Sequence, residues 1–481
     1  MSKPAVRQTN SQNKVNMCEG KIFPILLRFA IPLLVTGVLQ VLFNAADIIV
    51  VGKFAKDTEL SLAAVGATTS LVALIVNLFI GLSIGTNVLC ARFFGAKEYD
   101  NLSKTVHTSM FISVIIGLFL TVFGFSCAGM FPTIMSVPQN VAPLSTLYLK
   151  IYFLGMIPML VYNFAAAILR SVGDTKRPMY FLTLAGVVNV LLNLLLVMVF
   201  HLDVAGVAIA TVVAQTISAT LTVICLIRDE GAIKLCLNKL RCSWRHLAQI
   251  VKIGLPAGLQ STMFSIANVI IQTSLNALDS ELFLAGELLK EGSLVAGCSA
   301  AASIEAIVFT AMDAVYQAVV SFTSQNFGVR DYNRIKKAQV RGLILVGIVG
   351  AVLCSMCVIF PEQLVSIYAD TENARQTIEV GAERLALVGG TCFLIGFANI
   401  FVSGMRGMGY SMTPMLISLL CTCASRLLWI ATVFQLNRTV YTLYMVYPVS
   451  YLLTLVAQAV AFFIVFRMAS KKYPQKNELL Q

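Results

Sequence analysis

Long apolar runs without charge recur along the whole chain, and this feature limits the folds that the sequence can adopt. A run of about 20 apolar residues is long enough to cross the hydrocarbon core of a bilayer as a helix. The 481 residues are 58% hydrophobic and 12% charged, with a mean hydropathy of +0.83. Soluble domains are about 25% charged. The sequence therefore predicts an all-α integral membrane protein.

The apolar runs predict about twelve transmembrane helices. Their approximate spans are 25–51, 62–90, 106–131, 144–168, 179–200, 205–227, 251–276, 294–323, 342–360, 384–405, 414–434 and 445–466. The first span is too long for a signal-peptide core, and no small-residue cleavage site follows it. We therefore expect it to remain in the mature protein.

Most of the 35 basic residues fall in segments that face the cytoplasm if the amino terminus is cytoplasmic. The predicted outer loops hold Lys53, Lys56, Lys150, Lys290, Arg375, Arg384 and Arg438. Acids such as Asp279 and Glu281 are also predicted in these outer loops. The positive-inside rule then places both termini in the cytoplasm. Because the charge of +12 follows topology and forms no single patch, we expect no nucleic-acid partner.

Short stretches in the first half of the chain have counterparts in the second half. "CARFFGAKEYDNLSKTV" from Cys90 resembles "TSQNFGVRDYNRIKKAQ" from Thr323, and "LRSVGDTKRPM" from Leu169 resembles "MRGMGYSMTPM" from Met405. "FAIPLL" matches "IGLPAG" in the same order along the chain. The duplication predicts two six-helix lobes related by a parallel repeat. Secondary transporters use this plan, with the substrate path between halves that rock against each other.

The predicted domain boundaries follow from this duplication. They comprise a cytoplasmic tail over 1–24, an N-lobe over 25–227, a cytoplasmic inter-lobe linker over 228–250, a C-lobe over 251–467 and a cytoplasmic tail over 468–481. Because each lobe holds an even number of predicted helices, both lobes face the same way.

A stripe of polar residues interrupts the first apolar span. Thr36, Gln40, Asn44 and Asp47 are spaced at i, i+4, i+8 and i+11, which places them along one face of a helix. An ionised aspartate at the centre of a membrane helix costs about 2.5–3.5 kcal/mol. A carboxylate that binds a proton avoids much of that cost, so Asp47 is a candidate for ion coupling. A structural ion pair is the alternative role.

Two further polar faces occur in the predicted N-lobe. Asn189 and Asn193 are four residues apart on the fifth span, and Thr211 and Gln215 are four apart on the sixth. With the stripe on the first span they suggest a shared polar interior. The alternative is that such residues only join helices through hydrogen bonds, worth about 0.6 kcal/mol each.

The predicted C-lobe carries its own polar and charged residues inside apolar spans. The candidate cavity residues are Gln260, Asn268, Gln272, Glu305, Asp313 and Arg426. We expect Arg426 to neutralise Glu305 or Asp313, because buried charges are usually paired. A structural ion pair and a substrate site are both compatible with these charges.

The residues that carry chemistry in enzymes are dispersed. His107, His201 and His246 lie near different membrane ends, and the 12 cysteines are scattered through the apolar spans. We find no phosphate-binding loop, paired metal ligands or nucleophile motif. The sequence therefore predicts neither enzyme activity nor a bound cofactor, and a channel or a membrane enzyme is the weaker hypothesis.

Several motifs resemble the MATE (multidrug and toxic compound extrusion) family, and more closely its bacterial DinF-like branch. They are "AADIIVVG" in the first span, "FFGAKEYDN" and "QNFGVRDYN" after the second and eighth, "LRSVGDTKRP" after the fourth and "GVAIATVVAQ" in the sixth. The resemblance runs from about Phe23 to Arg467. It implies a V-shaped bundle of two six-helix lobes. It also implies export of amphipathic, mostly cationic compounds in exchange for protons or sodium, and we expect a monomer in the lipid bilayer.

The resemblance also implies an ion site in the N-lobe. Relatives of this branch use an acid on the first helix, an Asn and an Asp on the fifth and a Thr on the sixth, and the similar positions here are Asp47, Asn189, Asn193 and Thr211. Asn193 departs from that pattern, because an amide stands where relatives have the second acid. A sodium ion at Asp47 would have one formal negative charge fewer around it, which favours a proton as the coupling ion.

The C-lobe matches other branches less well. The NorM-like branch has acids on its seventh and tenth helices, where this chain has Phe264 and apolar residues, so a sodium site there is not expected. Glu305 falls where many relatives carry a glutamate on the eighth helix. A lipid or oligosaccharide flippase of the same superfamily is the alternative function. Such a flippase needs several cations inside the membrane, and only Arg426 is plainly intramembrane by sequence.

Overall fold

The computed structural model describes residues 15–55, 57–135, 137–286, 292–368 and 375–475. These residues form helices and connecting segments and contain no strand. Eleven of the helices are long and apolar enough to cross a membrane, and a twelfth span is obtained if one bent pair is counted as a single crossing. The predicted all-α membrane fold with about twelve spans is confirmed.

The chain packs into two compact units. Unit 1 comprises the described residues up to Gly20, Ile31–Gly258 and Ser324–Val329. Unit 2 comprises Lys21–Ala30, Leu259–Thr323 and the described residues from Arg330 onward. The lobe boundaries inferred from the duplication stay a prediction, because packing rather than the repeat defines these units.

The first half of the chain forms eight helices. They are α1 (Ile22–Phe54), α2 (Thr58–Gly95), α3 (Tyr99–Cys127), α4 (Phe131–Ile134), α5 (Ala142–Leu154), α6 (Met156–Ser171), α7 (Lys176–Leu194) and α8 (Asp203–Arg228). A π-helical turn, Leu195–Val199, extends α7. The predicted span 144–168 is a bent pair, since α5 and α6 meet at Gly155 with an angle of 45°.

The second half forms the remaining ten helices. They are α9 (Trp244–Leu284), α10 (Ser293–Val329), α11 (Tyr332–Ile359), α12 (Pro361–Ser366), α13 (Arg375–Arg384), α14 (Gly390–Gly407), α15 (Met412–Ser418), α16 (Ser425–Ala431), α17 (Val433–Leu436) and α18 (Val440–Lys472). π-Helical turns join α13 to α14 and α15 to α16. Because α9 begins at Trp244, the last part of the predicted linker is helical.

Helix α9 also corrects the outer boundary that we predicted for the seventh span. Asp279 and Glu281 lie inside this helix rather than in a loop. Asp279 is buried, and its carboxylate accepts hydrogen bonds from the backbone N–H groups of Gly292 at 2.6 Å and Leu294 at 2.8 Å. It thereby satisfies donors at the start of α10 that have no partner within that helix. In the sequence, Asp279 only marks the end of an apolar run. Its contact with the start of α10 cannot be predicted from a local window of the sequence.

Each unit has its own apolar core. In unit 1, Leu102, Phe164 and Ile168 are among the buried residues that join α3 and α6. In unit 2, Tyr447 and Tyr451 of α18 belong to the cluster that packs α9 and α14 together. Large apolar side chains also remain exposed along the helices, as expected for a surface that contacts lipid tails.

The backbone repeats the duplication that the sequence predicts. Lys97, between α2 and α3, has a φ of 59°, and Arg330, at the matching place between α10 and α11, has a φ of 61°. In the second pair of matching stretches, Gly173 has a φ of 90° and Gly409 a φ of 89°. The matched sequences therefore encode the same left-handed turns in the two halves.

The ends of α2 and α10 approach each other at matching glycines. A side chain on Gly95 would overlap the backbone of Gln325, and one on Gly328 would overlap the backbone of Arg92. Gln325 matches Arg92 and Gly328 matches Gly95 in the aligned motifs, so the two contacts are reciprocal. Glycine is required at both positions because the opposing backbones leave no room for a Cβ.

Candidate ion-coupling and substrate sites

A hydrogen-bonded cluster in unit 1 centres on Asp47 of α1. The side-chain amide of Asn193, on α7, donates to Oδ1 of Asp47. Asn193 is fully buried, while Asp47 is half-buried. The two residues are far apart in sequence, but the predicted polar faces of α1 and α7 meet at this point.

The cluster continues through the other two predicted residues. The Asn193 amide also lies 3.3 Å from Oδ1 of Asn189, and the Asn189 amide donates to the Thr211 hydroxyl at 3.5 Å. Thr211 in turn donates to the backbone carbonyl of Val207 at 3.0 Å. The structure thus brings together the four residues that the resemblance implied. Their role in ion coupling stays a prediction.

Asn193 has an acceptor that is not used. Its Oδ1 is buried and has no hydrogen-bond partner among the described residues. A buried amide oxygen without a donor is unfavourable. The site therefore combines one carboxylate with neutral oxygen atoms that could accept a hydrogen bond or contact a hard cation such as sodium.

Among the described residues, no hydrogen bond joins the remaining predicted N-lobe cavity residues to this cluster. Thr36 donates to the carbonyl of Pro32 within its own helix, at 2.7 Å. Gln40 and Asn44 are exposed, and Gln215 is half-buried one helical turn after Thr211. The helical spacing places Thr36, Gln40 and Asn44 on one face of α1, but it does not show which of them contact the carboxylate of Asp47.

Unit 2 contains a buried ion pair that corrects one prediction. Arg384, assigned by sequence to an outer loop, is the last residue of α13 and is buried. Its Nε and Nη2 lie 3.1 and 3.3 Å from the two carboxylate oxygens of Glu305 on α10. A planar guanidinium matches a carboxylate in this paired geometry. Arg384, and not Arg426, is therefore the cation that neutralises Glu305.

The expected pairing of Arg426 with Glu305 or Asp313 is wrong. Arg426, on α16, is fully buried; its Nη1 donates to Oδ1 of Asn268 at 2.9 Å and its Nε to the Ser450 hydroxyl at 3.1 Å. Asp313 is instead exposed and accepts from the amide of Gln317 at 2.6 Å. The physical reason is helix packing, which places the polar stripe of α9 against Arg426 where the sequence suggested an acid of α10.

A third buried arginine, Arg406, was not predicted as a site residue. Arg406, near the end of α14, donates to the hydroxyl of Tyr316 and, at 2.6 Å, to Oε1 of Gln260. The Gln260 amide continues the network to the Ser418 hydroxyl at 3.0 Å. The repeated motif around Arg406 was visible in the sequence, but its position next to an inner loop suggested solvent contact. The burial of Arg406 among the helices of unit 2 was therefore not predicted from the sequence.

The other predicted C-lobe residue, Gln272, makes a local contact. Its amide donates to Oδ1 of Asn276 at 3.0 Å on the same face of α9. A separate cavity of about 370 Å³ in unit 2 is lined by residues of α11 and α14 such as Gly350, Cys354 and Phe393. None of the predicted site residues lines it.

Comparison with known proteins agrees with the arrangement of helices and motifs. The MatE family model matches residues 32–195 and 265–431, one block in each half of the chain. The chain belongs to the MATE family. The predicted family resemblance is thereby confirmed, while the assignment to the DinF-like branch stays a prediction.

Two related proteins are similar to this chain over most of its length. The probable multidrug resistance protein YoeA of Bacillus subtilis is 26% identical over 399 residues, which are 81% of this chain and 82% of the relative. The FAD transporter of Shewanella oneidensis is 22% identical over 416 residues, 85% of this chain and 87% of the relative.

A solved MATE structure has the same fold. It is described as the outward-facing conformation of a multidrug resistance MATE family transporter of the MOP superfamily. The match has a TM-score of 0.85 at 19% identity and covers 95% of this chain and 98% of the other. At this level of identity the similarity shows the fold alone.

Proposed function

We propose that the protein is a multidrug efflux antiporter of the cell inner membrane, with both termini in the cytoplasm. It exports amphipathic, mostly cationic compounds in exchange for protons that bind at Asp47. Membership of the MATE family and the name of the Bacillus relative support the transport of drugs. The choice of the coupling ion rests on the Asp47 cluster.

The hydrogen bond between Asn193 and Asp47 is the observation that carries this proposal. The donor is a neutral amide, and no ion pair joins Asp47 to a cation within the described residues. An aspartate kept ionised in a membrane helix without a cation costs about 2.5–3.5 kcal/mol, and binding a proton removes that cost. A rotation of the Asn193 carboxamide would let its unused Oδ1 accept the new O–H.

Proton binding at this site would change the hydrogen bonds that join α1 to α7. Ionised Asp47 accepts from Asn193, whereas protonated Asp47 can donate, so the two states favour different arrangements of these helices. A ligand or proton shifts such an equilibrium only by binding the two states differently. A membrane potential of 100 mV contributes about 2.3 kcal/mol per charge moved, which supports somewhat more than a tenfold substrate gradient.

Ethidium efflux from energised cells tests the role of Asp47. Asp47→Asn keeps the size of the side chain and removes the ionisable group, so we expect efflux to collapse to the level of cells without the transporter. Asp100→Asn is the matched control, because Asp100 is an exposed carboxylate of α3 that pairs with Lys104. Unchanged efflux in Asp47→Asn, with an unchanged pH dependence, would rule out the coupling role.

Inverted membrane vesicles identify the coupling ion. We expect an imposed pH gradient to drive ethidium uptake by the wild type, and a sodium gradient at equal pH to have little effect. Uptake driven by sodium alone would show that the site binds sodium, for which Asp47, Asn189 and Thr211 supply oxygen atoms.

A further inference from the structure

Unit 2 contains more buried positive charge than its acids neutralise. Arg384, Arg406 and Arg426 are all buried in membrane helices. Of the buried acids in this unit, Glu305 binds Arg384 and Asp279 caps the start of α10. Neither Arg406 nor Arg426 lies within ion-pair distance of a carboxylate in the described part of the chain. Buried charges are usually paired, so this imbalance calls for an explanation.

Arg406 and Arg426 each have one guanidinium nitrogen without an acceptor among the described residues, Nε in Arg406 and Nη2 in Arg426. The side chain of Arg426 is fully buried, yet its only hydrogen bonds among the described residues run to the neutral groups of Asn268 and Ser450. Its Nη2 is buried and has no acceptor within those residues. A guanidinium is suited to bind two oxygen atoms of one carboxylate or phosphate through adjacent N–H groups. Nη2 is thus a donor that lacks a partner of this kind.

Aromatic rings surround the same guanidinium. Its Cζ lies 4.9 Å from the ring centre of Phe264, 4.7 Å from that of Tyr447 and 5.4 Å from that of Tyr451. The Tyr447 ring is also 5.5 Å from Cζ of Arg384. Rings can stabilise a buried cation, but they supply no acceptor for its N–H groups in the plane of the guanidinium. Three aromatic rings therefore lie around the guanidinium, while its Nη2 has no acceptor among the described residues.

These observations point to a ligand with both an oxyanion and an aromatic body. We propose that Arg426 is the anion-binding residue of a substrate subsite in unit 2, which takes the carboxylate or phosphate group of an aromatic amphiphile. The oxyanion binds Nη1 and Nη2, and the rings of Phe264, Tyr447 and Tyr451 pack against the aromatic body. This inference rests on the proposed export function and extends its substrates to zwitterions and organic anions.

A ligand reaches this subsite from the surface of unit 2, past Asn268. It is exposed on α9, and its carboxamide oxygen occupies the acceptor position on Nη1. The guanidinium therefore lies one side chain below the surface of the unit. An incoming oxyanion displaces the Asn268 oxygen, and the amide is left at the surface, where water can satisfy it. A purely structural clamp between α9, α16 and α18 needs no charge, because neutral side chains can make the same two hydrogen bonds.

A pair of dyes that differ at one group tests the proposal. Rhodamine 110 carries a free carboxylate, and rhodamine 123 is its methyl ester and a simple cation. We expect cells that express the wild type to export both dyes. Arg426→Met removes the charge but keeps a long side chain, so export of rhodamine 110 should fall by about tenfold or more, with little change for rhodamine 123.

Two further variants separate charge from geometry. Arg426→Lys keeps the positive charge and loses the paired N–H groups, so we expect an intermediate loss of rhodamine 110 export. Arg438→Met is the matched control, because Arg438 is an exposed arginine of unit 2 that pairs with Glu281 at the surface. It should leave the ratio of the two dye rates unchanged.

Binding to the purified wild type gives a second readout that needs no variant. Rhodamine 110 anisotropy in detergent should rise on binding and fall when benzoate or phenyl phosphate competes, and the stronger competitor identifies the preferred oxyanion. Displacement by phosphatidylglycerol micelles alone would indicate a lipid headgroup and overturn the assignment to a transported solute.

The outcomes distinguish this inference from the proposed function. If the wild type exports rhodamine 123 but not rhodamine 110, the efflux function stands and the anion subsite is wrong. If Arg426→Met lowers export of both dyes equally while the competitors do not displace rhodamine 110, Arg426 is structural and the subsite is also wrong. If the wild type exports neither dye yet binds rhodamine 110 through benzoate-sensitive contacts, the proposed efflux fails and the anion site remains.

Discussion

Arg384 and Glu305 form a buried two-point ion pair that joins α13 to α10, with N–O distances of 3.1 and 3.3 Å. Replacing Glu305 with Gln leaves the guanidinium buried without its counter-charge. We therefore expect Glu305→Gln to lower the free energy of unfolding by about 3–5 kcal/mol. Thermal unfolding of the purified protein in detergent measures this loss.

The surface pair of Glu281 and Arg438 is the control for that experiment. The two side chains are about half exposed, and their N–O distance is 2.5 Å. Because water screens an exposed pair, Glu281→Gln should cost no more than about 1 kcal/mol. Replacing both Glu305 and Arg384 with Met should recover most of the stability, and no recovery would show that the pair does more than neutralise charge.

Asn193→Asp restores the second acid that the family pattern contains at this position. The new carboxylate would stand in contact with Asp47, because the native amide already donates to it. Two carboxylates and nearby neutral oxygens make a better site for a hard cation than one carboxylate does. We expect sodium to change dye uptake into inverted vesicles by about threefold or more in this variant and little in the wild type. Asn193→Ala, which adds no charge, should stay insensitive to sodium.

Gly95→Ala tests the close approach of α2 to α10. A methyl group at this position overlaps the backbone of Gln325, so we expect a loss of about 1–3 kcal/mol in the free energy of unfolding. Gly66→Ala on the same helix is the control, since no described atom lies within 4 Å of its added Cβ. That control should be neutral or stabilising, because alanine is the better helix former. Equal melting temperatures for the two variants would contradict the contact.

Asp279→Ala removes the carboxylate that binds the first backbone N–H groups of α10. The half-buried donor of Gly292 and the buried donor of Leu294 would lose their acceptor, which should cost about 1–3 kcal/mol. Asp279→Asn keeps one acceptor oxygen and should cost less. Hydrogen exchange at the start of α10 checks the mechanism, because protection should fall there first. A loss spread evenly over unit 2 would argue against a capping role.

The membrane spans could be predicted because each depends on local composition. A run of apolar residues long enough for the bilayer predicts a helix whatever its neighbours are. The duplication could also be predicted from the sequence, because turn residues such as Gly173 and Gly409 recur with the prolines that follow them. The Asp47 cluster needed the family resemblance as well, since spacing alone places Gln40 and Asp47 on one face without separating their roles.

The charges of unit 2 could not be paired from sequence. Arg384 is the last residue of the polar helix α13, which has no apolar run, so a hydropathy pattern assigns it to a loop. Its partner Glu305 is 79 residues away, and the choice between Glu305 and Asn268 for each arginine depends on how α9, α10 and α16 pack. That packing depends on contacts between helices that are far apart in the chain. A local sequence pattern does not predict such contacts.

Lys97 and Arg330 have the same left-handed backbone conformation, so the two halves share the geometry of this turn. Neither residue is glycine, although this conformation costs a side-chain-bearing residue about 1–2 kcal/mol. Each half nevertheless turns from one long helix into the next at the same corner, followed by an acid and a tyrosine. The two turns therefore have the same backbone geometry. In a chimera that exchanges their sequences, each sequence would have to adopt the same backbone path as before.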